Sequence, residues 1–262
     1  MKHFFSWIAV FFLAGCATVP MTGRKQLSFI PQGQLLTLSD QSYQEILGSV
    51  TLSRDAAKTA ELVEVGRRVS SAAEAFMREN GMERDIANYR WEFKLVQDDK
   101  TVNAFCMPGG KIVFYTGIFP VAQDANGLAT VMGHEIAHAI ANHGGERMSQ
   151  QLMVQAGGLG LAQLTQSKPE MARQILMQVY GAGAQVGLLL PYSRAHEFEA
   201  DRIGLMLMAR AGYDPKTAVN FWERMRKLGG ARPPEFLSTH PADSRRIADL
   251  QKAIPEAEKY YK

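Results

Sequence analysis

Leu128-Ala129-Thr130-Val131-Met132-Gly133-His134-Glu135-Ile136-Ala137-His138 is the stretch whose reading decides the fold. Its residues are apolar or small on every side of the histidines, which predicts a helix buried in a domain core. Asp124 stands ahead of it as an N-cap, and the helix is expected to run to about Asn142, with Gly144-Gly145 ending it. Positions i and i+4 share a helix face, so the imidazoles of His134 and His138 can reach one ion. Zinc takes such nitrogens at about 2.1 Å in tetrahedral geometry. Glu135 sits one residue along, beside the metal rather than on it, where it can take a proton from bound water. A structural pair of histidines is the competing reading, and the apolar setting argues against it.

Two histidines leave a catalytic zinc site incomplete; a third protein ligand is needed, with water in the fourth position. His143 lies close in sequence, but it is one place off the six-residue register of an HExxHxxGxxH site and is expected to cap or leave the helix. Glu197 fits better, in Ser193-Arg194-Ala195-His196-Glu197-Phe198-Glu199-Ala200-Asp201. Glu197 and Asp201 are again i and i+4, and the helix beyond them is apolar (Ile203, Leu205, Met206, Met208), so that face points inward. A buried carboxylate is costly unless it is paired or bound to metal. Glu197 as ligand, with Asp201 accepting a hydrogen bond from a ligand histidine, meets both demands. Glu199 is expected to point away as a solvated charge.

Outward from this centre the pattern is α+β and mostly helical. A helix is predicted over Asp55–Arg78, closed by Asn80-Gly81. Strands are predicted over Trp91–Val96, Val102–Met107 and Lys111–Thr116, the last two joined by Pro108-Gly109-Gly110. Residues 150–190, rich in Gly, Ala, Met, Gln and Leu, read as helices that cover the active-site helix or lie near a membrane surface. Further helices are expected over Ser193–Arg210 and from Pro215 to about Leu228. A proline-bearing loop, Arg232–Pro241, then leads to a closing helix with Arg246, Ile247 and Leu250. Residues 17–40 read as an irregular tether that wraps onto the domain.

The chain has 262 residues, 46% hydrophobic and 21% charged, ordinary composition for a domain with a sizeable core. A formal charge of +3 without a Lys/Arg block leaves no nucleic-acid footprint. The first residues read as a targeting segment: Lys2, the apolar run Phe4–Leu13, then Leu13-Ala14-Gly15-Cys16. That run is far short of the ~20 residues a spanning helix needs. It resembles the lipobox of bacterial lipoproteins, cleaved before Cys16, which then carries acyl chains such as palmitate; the alternative is a plain secretory signal. Ala17 after the cysteine favours the outer membrane in lipoproteins of that type. With Cys16 acylated, Cys106 has no intramolecular partner and is expected to be a packed thiol.

HExxH, the downstream Glu197-Phe198-Glu199-Ala200-Asp201, Asn103-Ala104-Phe105 followed by Pro108-Gly109-Gly110, and Ser238-Thr239-His240-Pro241 with Arg246-Ile247 occur together. This set resembles the gluzincin metallopeptidases of the CAAX prenyl protease, HtpX and BepA type, over about Ala60 to Leu250. Thr22-Gly23-Arg24-Lys25-Gln26-Leu27 resembles the start of lipoprotein members, and the shortness of the apolar runs points to the lipoprotein and periplasmic branch. The resemblance implies a zincin-type domain whose small sheet carries a substrate-binding edge strand with Asn103, Ala104 and Phe105. It implies one zinc per chain on His134, His138 and Glu197, with Glu135 as general base. His240 and Arg246 would stabilise the oxyanion, or His240 would fold over the zinc and occlude it. The expected organisation is a signal peptide over 1–15, a tether over 16–55 and the peptidase domain over 56–262. The expected function is endopeptidase quality control of misfolded or stalled envelope proteins, anchored to the periplasmic side of the outer membrane. A chaperone-like or assembly-factor module serving the envelope assembly machinery, its zinc site plugged by residues 150–190 or His240, is the alternative.

Overall fold

The computed structural model describes residues 16–229, 234–242 and 244–261. The expected signal segment, and Arg232 and Pro233 of the expected loop, lie outside the described residues. The protein is mostly helical with small sheets. A short hairpin of β1 (Cys16–Thr18) and β2 (Lys25–Leu27) leads to α1 (Gln32–Ser49) and α2 (Ala56–Glu79). After the single turn α3 (Glu83–Ile86) come β3 (Glu92–Val96), β4 (Ala104–Met107) and β5 (Lys111–Tyr115). The short α4 (Phe119–Ala122) precedes α5 (Ala125–Ile140), α6 (His143–Leu164) and α7 (Glu170–Ala184). A π turn over Gln185–Leu189 joins α7 to α8 (Leu190–Arg210), followed by α9 (Thr217–Leu228), α10 (Glu235–Thr239) and α11 (Ser244–Ala257).

Local chemistry accounts for many of these limits. Asp55 caps α2 by accepting from the Lys58 amide, and Asp124 caps α5 by accepting from the Gly127 amide. β5 is central in the three-stranded sheet, parallel to β3 and antiparallel to β4. Gly109 and Gly110, with φ of +85° and +84°, make the tight return between β4 and β5 that an L side chain would strain. The outer edge of β3 is covered by residues 51–53, through a Leu52–Val96 bridge and the Ser53 amide donating to Leu95 O at 2.8 Å. β4 is the opposite edge, and it packs beside α5.

The core is helical. Leu62, Val65, Val69 and Phe76 of α2, Leu128, Met132 and Ile136 of α5, Ile203 and Leu207 of α8, and Phe221 and Trp222 of α9 are buried together. Each large side chain removed from water contributes roughly 2 kcal/mol. α5 and α8 cross at Gly133 and Gly204 in near backbone contact: a Cβ on Gly133 would stand 2.7 Å from Gly204 O. That crossing carries both sequence motifs to one place.

Three expectations need correction. The segment over 17–40 is not irregular: it holds the β1–β2 hairpin and the start of α1, which docks Tyr43 against Val96 and Val113. Gly144-Gly145 do not end the motif helix. Asn142, in the left-handed conformation (φ 56°), breaks the chain direction, and both glycines lie inside α6. Asparagine tolerates that conformation because its short polar side chain bonds locally. Residues 150–190 do not blanket α5. α6 and α7 pack on each other with apolar side chains turned outward, Leu159 and Leu164 being 74% and 81% exposed and Met171 74%. Among the described residues, no helix is long and apolar enough to cross a membrane.

Candidate metal centre

α5 delivers His134, Glu135 and His138, all buried, to the point where α8 passes with Glu197 and Asp201. Glu197 Oε2 lies 3.3 Å from His134 Nε2, and its Oε1 lies 3.3 Å from His138 Nε2. The two Nε2 atoms are 3.0 Å apart. A fourth donor is His240 Nδ1, at the end of α10, 3.1 Å from His134 Nε2 and 2.9 Å from Glu197 Oε2. Ligand atoms about 2.1 Å from one tetrahedral ion stand about 3.4 Å from each other. The four residues each offer a ligand atom within 4.8 Å of the others, and the pairs given above, at 2.9 to 3.3 Å, are close to that spacing.

The protons can be placed from the partners. His134 Nδ1 is 2.9 Å from Asp201 Oδ1. Burial raises the Asp201 pKa, but Arg246 and the hydrogen bond from His134 outweigh it and hold the group below its ordinary value. An ionised carboxylate only accepts, so His134 Nδ1 carries a proton and Nε2 is the nitrogen left for a metal to take. Burial likewise raises Glu197, and the imidazoles of His240 and His138 more than offset it, keeping it well below the carboxylate range. Burial and then Arg246 lower His134, but hydrogen bonds to Asp201 and Glu197 overcome both and raise it to about 9. The pocket is therefore a well for positive charge.

These residues fit a metal ion. Imidazole nitrogens this close need a proton or a metal cation between them, and the donor set of two or three imidazoles and one carboxylate is one zinc accepts. Glu135 adds a second sign: its Oε1 is buried and forms no hydrogen bond, with His240 Nε2 standing off at 3.5 Å. A buried oxygen without a donor is what a general base awaiting its water would present.

Arg246 stands elsewhere than expected. Its guanidinium donates to Asp201 through Nε and Nη2 at 2.7 Å each, lies 3.1 Å from Glu197 Oε2, and covers the Trp222 ring at 3.4 Å. It braces the carboxylates from behind and is not free for an oxyanion. His240 is held over the centre by an aromatic file in which Trp222 stacks on Phe236 at 5.7 Å and Phe236 meets His240 at 4.6 Å. The Phe236 amide donates to Val102 O at 3.2 Å, tying this turn to the chain entering β4. Asn103, Ala104 and Phe105 lie at the start of that edge, with Ala104 opposite Phe114 and Phe105 opposite Val113. The thiol of Cys106 is pushed up by burial and by the Glu135 charge.

Glu199 overturns its expectation. It is 4% exposed and lies in a second polar cluster behind His138. His143 Nδ1 is 2.7 Å from His138 Nδ1, and His143 Nε2 is 2.9 Å from Glu199 Oε2. His196 Nε2 is 2.8 Å from Glu146 Oε2, and the two imidazoles of the cluster stack at 4.3 Å. Arg24 donates from Nε to Glu199 at 2.7 Å and from Nη2 to Glu146 at 2.8 Å, and Thr22 Oγ1 donates to Glu199. The sequence held a signal for this: His143-x-x-Glu146 and His196-x-x-Glu199 repeat one spacing on two helices, and each histidine pairs with the other helix's glutamate.

Residues 56–254 match the family model described as Peptidase family M48. The chain is 29% identical to the mitochondrial metalloendopeptidase OMA1 of Saccharomyces cerevisiae, the alignment covering 98% of this chain and 74% of that protein. It is 30% identical to the OMA1 of Schizosaccharomyces pombe, over 97% and 73%. It is 29% identical to the beta-barrel assembly-enhancing protease of Escherichia coli, over 93% of this chain and 48% of that protein. Relatives thus come from mitochondria and from a bacterium.

Proposed function

This chain belongs to peptidase family M48 and is a metalloendopeptidase, and from that premise we propose that it uses zinc on His134, His138 and Glu197 to cut misfolded or stalled proteins of a bacterial cell envelope. A lipidated Cys16 holds it to the periplasmic face of the outer membrane. The observation that carries this reading is the convergence of four buried donor atoms beside the unbonded Oε1 of Glu135. When bound, zinc supplies a polarised, acidified water. Glu135 takes that water's proton and delivers it to the leaving amine, as base and then acid. Asp201 fixes the tautomer of His134, and Arg246 holds Asp201 and Glu197 in place. An extended substrate pairs with β4 through its main chain, which suits unfolded chains of varied sequence. The lipobox and the likeness to a bacterial assembly-enhancing protease support the envelope assignment.

The test is cleavage of casein by the zinc-loaded protein and by Glu135→Gln. Loss of the base should cost about 10²–10⁴ in rate while one zinc per chain is retained. Cleavage by Glu135→Gln at the parental rate would remove the assignment. One observation favours a second reading, a latent protein that holds partners and rarely cuts: His240 Nδ1 sits where the water belongs. If that reading holds, casein is cut only by a variant lacking His240.

A further inference from the structure

The residues behind His138 have no part in the chemistry described so far. They are nonetheless buried, charged and linked in series. His143 begins α6 immediately after the left-handed Asn142, and that reversal turns its ring back onto His138, Nδ1 to Nδ1 at 2.7 Å. Its other nitrogen meets Glu199 at 2.9 Å, on the same helix as Glu197 but on another face. Glu199 is in turn held by Arg24 Nε at 2.7 Å and by Thr22. Arg24 also reaches Glu146 with Nη1 and Nη2, at 3.1 and 2.8 Å, and Glu146 receives the Leu27 amide at 3.4 Å. Arg24 lies in the turn of the β1–β2 hairpin, more than a hundred residues from both carboxylates it holds.

The chain of bonds has one consistent direction. Glu199 already accepts from Arg24 and Thr22, so His143 Nε2 donates to it. A neutral His143 then accepts at Nδ1, and His138 Nδ1 must donate. The nitrogen left bare on His138 is Nε2, the one facing His134 and Glu197. A metal-bound histidine almost always donates its other N–H to such a partner, and loss of that partner typically costs 10–100-fold in metal affinity.

We propose that His143, Glu199 and Arg24 form a positioning relay for His138, so that the N-terminal hairpin, which lies ahead of the family-matched region, is a working part of the metal centre. The inference rests on the reading that His138 is a metal ligand. His143 is a positioning residue and not a ligand: its near nitrogen faces the far side of the His138 ring. The relay gives His138 what Asp201 gives His134, but through an imidazole and a carboxylate whose arginine comes from the tether. A bidentate guanidinium suits this bridging of two carboxylates on two helices, where a lysine could serve only as a point charge.

The experiment is zinc affinity of the full-length protein, by competition with a chromophoric chelator, with melting of the metal-free form recorded alongside. His143→Leu, which keeps the bulk and removes both nitrogens, should bind zinc 10–100-fold more weakly. His143→Asn places an oxygen near the lost Nδ1 and should recover part of the affinity. Arg24→Met should weaken zinc binding by a smaller factor, and should add nothing in the His143→Leu background, because it acts through that ring. Wild-type affinity in folded His143→Leu or Arg24→Met overturns the relay, even if melting falls. Additive losses overturn the series connection. Should His143→Leu fail to fold, His143→Asn and Arg24→Met alone and combined decide by the same criteria. If the parent chain itself binds no zinc, or if Glu197→Gln binds it as the parent does, the metal-site reading has failed rather than the relay.

Discussion

Glu197 is a buried carboxylate that stays ionised because both its oxygens face imidazoles and an arginine. Replacing it with glutamine keeps the shape and removes the charge that makes the pocket a well for cations. Purified Glu197→Gln should therefore carry far less than one zinc per chain by elemental analysis; full occupancy would exclude Glu197 as a ligand. His240 is the converse case. Its Nδ1 competes for the corner a water needs, so His240→Ala should cut casein faster, on the order of tenfold if the corner is filled nine-tenths of the time. A slower variant would instead give His240 a direct part in the reaction. The ligands were legible because each pair obeys helical spacing and sits in an apolar run: His134 with His138, Glu197 with Asp201. Glu199 was not. Periodicity places it correctly on another face from Glu197, but that face becomes an interior one only through His143 of α6 and the folded hairpin, arriving from residues 22–24. No local pattern along α8 encodes a cover that distant.

Two long elements are joined where neither has a side chain. The crossing of α5 over α8 depends on Gly133 and Gly204, and His134 is the next residue after the first. A methyl group at 133 would meet a backbone carbonyl, so relief must come from moving a helix. Gly133→Ala should cost about 1–3 kcal/mol and lower Tm by roughly 2–10 °C. It should also weaken zinc binding, since separating the helices draws the histidines from Glu197. A variant with parental zinc affinity would show that the two motifs are held together elsewhere. Helix starts were readable from Asp55 and Asp124, which the structure uses as caps. The end of α5 was misread because glycine usually marks such a stop, while here Asn142 turns the chain and the glycines continue into α6. Tight packing explains the second of them: a Cβ on Gly145 would stand 2.5 Å from Asn142 Oδ1, whereas one on Gly144 would meet only Pro108 Cγ, at 3.9 Å.

Across the whole molecule, the N-terminal segment wraps onto the domain as expected of it, but as a hairpin and helix where an irregular tether was expected. It is held there by ion pairs, Arg24 with Glu146 and Glu199. Burial raises Glu146 and Glu199, but hydrogen bonds from His196 and Arg24 to the first, and from His143, Thr22 and Arg24 to the second, lower both, Glu199 to about 2. Groups whose folded pKa lies below the unfolded value near 4.5 stabilise the fold above that value and lose the effect as pH falls toward 2. Stability should accordingly drop between pH 5 and pH 2.5, and less steeply in Arg24→Met; equal urea midpoints at pH 6 and pH 3 would contradict this. The exposed apolar arms of α6 and α7 were unreadable for a related reason, since composition gives an amphipathic helix but not which side another element will cover. One further consequence lies in the three-stranded sheet, closed along β3 by residues 51–53 and, among the described residues, with no strand paired to the outer edge of β4. A guest strand joining there is read by its amides, and proline has none to offer. Peptides scanned with proline on alternate residues around the cut should be spared at every second position, a comb-like resistance that side-chain pockets alone would not produce.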